Sequence, residues 1–144
     1  TLVTLGRASG FAIEKLELPL RDAAAGHSSK EFWCPGSTLR VVYDTAHPLA
    51  WGMPEEGLAL YLMGHPAFEV LPVPRAERYH VAARYADGDL LASGWLIGEK
   101  ILAKKAAVVE APFGEGRAIL YGFRPQHRAQ THGTFKLLFN ALIR

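Results

Sequence analysis

The closing segment constrains the fold of this chain more than any other stretch. Gly116-Arg-Ala-Ile-Leu-Tyr-Gly-Phe-Arg-Pro-Gln-His-Arg-Ala-Gln-Thr-His-Gly-Thr-Phe-Lys-Leu-Leu-Phe-Asn-Ala-Leu-Ile-Arg144 reads as a buried strand, a polar turn and an amphipathic helix. Phe135, Leu138, Phe139 and Leu142 recur at helical spacing, which predicts a helix over 131–143 with those residues packed on a sheet. Just upstream, Ala106-Ala-Val-Val-Glu-Ala111 and Arg117-Ala-Ile-Leu-Tyr121 are strands joined through Phe113-Gly-Glu-Gly116, the clearest hairpin signal in the chain. A hairpin feeding a helix that must cover it is the signature of an α/β layer.

The rest of the chain extends that layer. Leu2–Leu5 predicts a short buried strand that stops at Gly6. Ser9 is expected to cap a helix through Leu16, with Phe11, Ala12 and Leu16 on one side and Pro19 ending it. Residues 22–37, rich in Ala, Gly, Ser and Pro, read as loop with helical turns. Strands are expected over 39–43, 58–63, 68–71 and 81–85, separated by His47-Pro48, Gly52-Met-Pro54, Gly64-His-Pro66, Pro72 with Pro74, and Asp87-Gly-Asp89. A strand end and a short helix share 90–102. The predicted class is α/β: a mixed sheet flanked by helices, strand-rich in its second half and closed by a C-terminal helix. One domain spans 1–144.

With 144 residues, 49% of them hydrophobic, the chain can bury a real core. Its net charge of +2 offers no concentrated basic face for nucleic acid. No apolar run reaches the roughly 20 residues needed to span a bilayer. Cys34 is the single cysteine, so no intrachain disulfide forms. The chain begins at Thr1 directly in a strand, with no leader, and is expected to be a piece of a longer protein.

The six His residues raise metal binding, but their spacing does not support it. His127 and His132 straddle the expected helix start. Glu77 and His80 lie in a loop-to-strand passage, and His47 and His65 precede prolines in turns. No metal ligand and no cofactor is therefore assigned. Cys34 lies between bulky Trp33 and Pro35, which has no N–H for an oxyanion hole, so a packed cysteine is favoured over a nucleophile. Gly6-Arg-Ala-Ser-Gly10 follows a strand and opens a helix, the setting of a phosphate turn, but lacks the Lys-Ser/Thr ending. Trp33, Trp51 and Trp95 read as core or interface anchors rather than a sugar platform.

The densest polar cluster is Arg124-Pro-Gln-His-Arg-Ala-Gln-Thr-His132. In its functional reading Arg124 and Arg128 grip a carboxylate, with Gln126, His127 and His132 beside them. In its structural reading, which is favoured, Arg124, Gln126 and Gln130 satisfy backbone groups and pin the final helix to the sheet.

Gly94-Trp-Leu-Ile-Gly98, Lys105-Ala-Ala-Val-Val109 and Gly116 through Leu142 resemble the C-terminal region of certain bacterial zinc carboxypeptidases of the carboxypeptidase A-like family. Leu5-Gly6-Arg-Ala-Ser9 and Cys34-Pro-Gly-Ser37 are consistent with the same region. In that family a zinc peptidase domain is followed by a domain similar to class I glutamine amidotransferases, a partial flavodoxin-like layer. Active amidotransferases carry His-Pro-Glu after the final strand; this chain has Arg124-Pro125-Gln126. Arginine stays protonated and cannot act as a base, and glutamine offers no carboxylate to orient one. The peptidase's His-x-x-Glu has no match. The resemblance thus implies a non-catalytic accessory domain whose partner is the peptidase domain of the same parent, with zinc held there and the parent exported. Two alternatives remain: a carboxylate- or peptide-binding module, and a divergent cysteine hydrolase using Cys34.

Overall fold

Ala106–Phe113 is buried at every residue from Ala106 to Ala111, with no polar-facing side. A strand of that kind must be covered on both faces, and this one is the centre of a three-layer arrangement. The computed structural model describes residues 1–143. Arg144, the last residue of the closing segment and of the expected domain, lies outside them.

In chain order the elements are β1 (Leu2–Leu5), α1 (Arg7–Lys15), β2 (Leu20–Asp22), β3 (Gly36–Tyr43), β4 (Glu56–Leu62), β5 (Phe68–Val70), β6 (His80–Tyr85), β7 (Leu91–Ser93), α2 (Glu99–Leu102), β8 (Ala106–Phe113), β9 (Gly116–Tyr121) and α3 (Phe135–Leu142). The described strands form one mixed sheet in the order β1-β9-β8-β6-β3-β4, with β5 on β8, β2 on β5 and β7 on β3. β1 runs parallel to β9, and the other pairings are antiparallel. The expected class, a mixed α/β sheet flanked by helices with a closing C-terminal helix, is the observed one. The β8–β9 hairpin turns where the sequence places it, with Phe113 paired to Gly116.

Alternation along β9 divides the core. Ala118 and Leu120 face a cluster that includes Ala12 of α1, Leu18, Leu20, Phe68 and Val109. Ile119 and Tyr121 face the larger cluster, which holds Leu137 and Ala141 of α3 with Leu49, Tyr61, Tyr85 and Phe123. One helix therefore covers each face of the central strands.

Both helices differ from expectation in register. α1 starts at Arg7 behind Gly6, and Ser9 is no cap. Its hydroxyl is buried, donating to the Tyr121 carbonyl at 2.8 Å and sharing a 2.9 Å bond with Thr4 Oγ1. Phe11 points to solvent, leaving small residues against the sheet. Expected from Thr131, α3 begins at Phe135 after a 3-10 turn over His132–Thr134. Its buried residues are Leu137 and Ala141, whereas Phe139 and Leu142 are exposed. Hydrogen bonds select that face: Tyr121 OH donates to Leu137 O at 2.7 Å, and Asn140 Nδ2 donates to Leu49 O at 2.9 Å and Trp51 O at 3.0 Å. An almost wholly apolar helix has no unique apolar face, so polar anchors set its rotation.

Candidate functional site

The parallel β1–β9 pair brings three chain segments to one end of the sheet. Gly6 N–H donates to Tyr121 O at 2.9 Å, one bond beyond the β1–β9 ladder. Gly6 adopts φ 56°, ψ −126°, which side-chain-bearing residues avoid, and so turns β1 directly into α1. A Cβ there would lie 2.6 Å from His65 Nε2. Gly122, just past β9, packs so tightly on the Pro66 carbonyl that a Cβ would collide with it. Segments 5–7, 64–66 and 122–127 therefore converge at the carboxyl ends of both parallel strands. Open α/β sheets hold their ligands at such ends.

His65 is the buried centre of this convergence, 2% exposed. Its Nδ1 accepts from Leu62 N–H at 3.3 Å, which assigns the ring proton to Nε2. Its carbonyl accepts from Tyr61 OH. Burial, reinforced by the charges of Arg124, Arg7 and His127, pushes its pKa down to about 4. The ring is thus neutral near pH 7, with an Nε2–H donor that meets no hydrogen-bond acceptor among the described residues. The Arg7 guanidinium lies over Gly64 and donates to Met63 O from Nε at 3.3 Å and Nη2 at 3.1 Å. α1 opens with no side-chain cap and no acidic residue in its first turn, although Ser9 N–H donates back to Gly6 O at 3.0 Å. Arg124 is exposed, and among the described residues its guanidinium makes no hydrogen bond or ion pair. Every charge that shifts His65 is cationic. This end of the sheet is a set of donors suited to an anion.

The sequence-predicted site residues divide here. Arg124 and His127 lie within electrostatic reach of His65. Gln126 and Arg128 are exposed and make no side-chain bond among the described residues, and Arg128 sits in a left-handed conformation at φ 49°. The His132 ring packs on Phe135, centroids 5.7 Å apart, at the start of α3. The expected pinning role of Arg124, Gln126 and Gln130 falls instead to Thr134, whose hydroxyl donates to Pro125 O at 2.7 Å, and to Lys136, which donates to Gly52 O at 2.8 Å. Short side chains reach a buried carbonyl at lower entropic cost than long ones. Arg7 and His65 were not predicted. Their sequence signals were the glycine turn after β1 and a His-Pro pair read as an ordinary turn.

Cys34 lies fully buried in the larger core cluster. Burial raises its thiol pKa against a hydrogen bond from Ser37, which opposes thiolate formation. The tryptophans expected in core or interface are outside the core: Trp51 and Trp95 are exposed by more than half and Trp33 lies at the surface. A separate polar cluster spans Glu110, which pairs with Arg117 at 3.1 Å and lies 3.7 Å from His47. Among the described residues no group of three or more His, Cys, Asp or Glu could hold a metal ion, and no helix is long and apolar enough to cross a membrane.

No protein-family model matches the chain, and no curated protein matches its sequence. Among solved structures it is similar to a protein described as ThuA-like from Bacteroides uniformis ATCC 8492, at 15% identity and a TM-score of 0.43. The match covers 77% of this chain but 45% of that one, so the chain spans less than half of that protein's length. Nothing of that protein's activity transfers at this distance.

Proposed function

We propose that the chain is a non-catalytic accessory domain of a bacterial zinc carboxypeptidase, one that supports or orients a peptidase domain elsewhere in the parent. The observation that carries this reading is the setting of Arg124-Pro125-Gln126. These residues follow β9 at the carboxyl end of the parallel pair, where amidotransferase chemistry would need a base and a carboxylate. A permanently protonated guanidinium and an amide fill those positions instead. The family-like string from Gly116 through Leu142 supplies the link to the peptidase.

The surface beside α3 supports an accessory role. Phe139, Leu142 and Trp51 each leave more than half of their surface exposed, on elements joined by Asn140. Exposed aromatic and aliphatic groups gathered on one side favour protein contact. Mixing the purified chain with the parent's zinc peptidase domain tests the reading. Co-elution of the two, with altered release of C-terminal amino acids from a peptide, is the expected result. A parent lacking residues 1–144 that retained full activity and stability would overturn it.

A further inference from the structure

We propose that the cleft between β5 and the turn entering β8 binds an extended acidic peptide, which adds to the open edge of β5 as a strand and sets a carboxylate on Arg84. The cleft is a split in the sheet. β5 and β8 share a single pair, Phe68↔Ala106. Just before Ala106, Lys104 takes a left-handed conformation at φ 63° and its N–H donates to Ala86 O at 3.1 Å. The chain there belongs to the β6 side, and β5 runs on without it. The hydrogen-bonding direction of β5 is set by its other neighbour. Leu71 N–H donates to Pro19 O at 2.9 Å, in line with the β2–β5 register, so Glu69 and Leu71 aim their backbone groups at β2. Alternation along an antiparallel strand aims the N–H and C=O of Phe68 and Val70 the opposite way. Phe68 meets Ala106 there, whereas Val70 meets no strand on that side among the described residues. An unpaired edge of this kind is a template for a further strand.

The lining selects what the added strand carries. The cleft encloses about 580 Å³, the size of a small binding pocket. Val70 and Leu71 share its lining with Arg21, Arg84, Lys104 and Lys105, against the one carboxylate of Glu69. Three of those cations are already engaged: Arg21 and Lys105 pair with Glu69, and Lys104 pairs with Asp87 at 2.9 Å. Arg84 is exposed, donates to Lys104 O at 3.5 Å, the limit of a hydrogen bond, and forms no ion pair among the described residues. Its planar guanidinium is the free charge of the cleft and suits a carboxylate gripped through two parallel bonds. A peptide with alternating apolar and acidic side chains satisfies the edge, the apolar lining and Arg84 together. A nucleic acid strand would use the cations and leave the backbone edge of Val70 unpaired. The cleft stands on this split alone, whatever protein the chain is part of, so failure of peptidase association would leave it untouched.

Calorimetric titration of the full chain with acetyl-Val-Glu-Val-Glu-Val-amide, with hydrogen exchange of the Val70 amide followed in parallel, tests the proposal. Saturable binding with a Kd of about 1 mM or tighter is expected, together with a slowing of Val70 exchange by about tenfold at saturation. Acetyl-Val-Lys-Val-Lys-Val-amide, equal in length and opposite in charge, should bind about tenfold more weakly or worse. The acidic peptide with every backbone nitrogen methylated keeps its carboxylates but cannot pair as a strand, and should lose binding on the same scale. Arg84→Glu keeps the fold, because the side chain is exposed, and weakens the acidic peptide by about tenfold or more, the scale of one charge-assisted pair. Arg78→Glu, an exposed cation outside the cleft, leaves binding unchanged. No saturable binding, unaltered Val70 exchange, equal binding of the lysine or the methylated peptide, or undiminished binding in Arg84→Glu each overturns the site. A short oligothymidylate that saturates the cleft where the acidic peptide does not overturns it as well, and assigns the cations to a nucleic acid.

Discussion

Cys34 and His65 are two reactive side chains held in the interior, and burial drives both toward their neutral forms. Their surroundings differ. Cys34 lies in the larger apolar cluster with Tyr61 and Tyr85, where a thiolate would lose its hydration without gaining a cation. His65 packs on the edge of the same cluster, its ring 5.9 Å from that of Tyr61, but it faces the end of the sheet where Arg7, Arg124 and the start of α1 gather. Burial alone removes chemistry from a side chain. Burial beside uncommitted donors converts the same loss of charge into a directed hydrogen-bond donor.

The largest expected effect tests the closeness of that second environment. Gly6→Ala combines a disfavoured backbone with a Cβ 2.6 Å from His65 Nε2, and is expected to lower stability by about 3 kcal/mol in urea unfolding. Gly10→Ala, four residues on with no heavy atom within 4 Å, is the control and should stabilise by about 0.5–1 kcal/mol. Equal effects at both positions would erase the distinction.

On the Cys34 side, Cys34→Ser places a hydroxyl in the apolar cluster at a cost of about 2 kcal/mol. Native alkylation by iodoacetamide should proceed no faster than unfolding. Rapid alkylation of the folded chain would revive a reactive thiol.

The His65 prediction concerns pH. Its folded pKa of about 4 lies below the ordinary 6.5, so on acidification the unfolded chain takes up the proton first. Its contribution to stability is whole above pH 6.5 and is lost as pH falls toward 4. Unfolding midpoints should decline across that window, and His65→Gln should flatten the decline. An unchanged profile in the variant would place the titration elsewhere. The smallest effect is expected for Arg124→Gln, whose exposed side chain should change stability by no more than about 0.5 kcal/mol.

The sequence disclosed what local patterns encode. β1, the β8–β9 hairpin and the short helix at Glu99–Leu102 appear where turn residues and β-branched runs place them. β2 has no counterpart among the expected elements: Leu20 and Arg21 follow Pro19 with no signal of their own and Asp22 falls in the expected loop, and the three become a strand by pairing with β5. The rotation of α3 was misread because Leu137, Leu138, Phe139 and Leu142 are all apolar, and the anchors that decide it, Tyr121 and Asn140, act across the fold. The site was legible only on one side. Arg124 and His127 stand in a visible polar cluster, but Arg7 and His65 join them through the parallel pairing of β1 with β9 and the packing of Gly122 on Pro66. No spacing along the chain encodes that meeting.

The register Leu2↔Ala118 to Leu5↔Tyr121 also fixes an order of assembly. On a ribosome, β1 emerges well before its strand partner, which follows only after β2 to β8 have been made. Until then its apolar residues must wait beside α1 without a ladder, while the β3–β4 hairpin can already close. The final joining step would couple the earliest and the latest strand in chain order at one edge of the sheet, so a nascent chain paused before β9 should be protease-sensitive around β1.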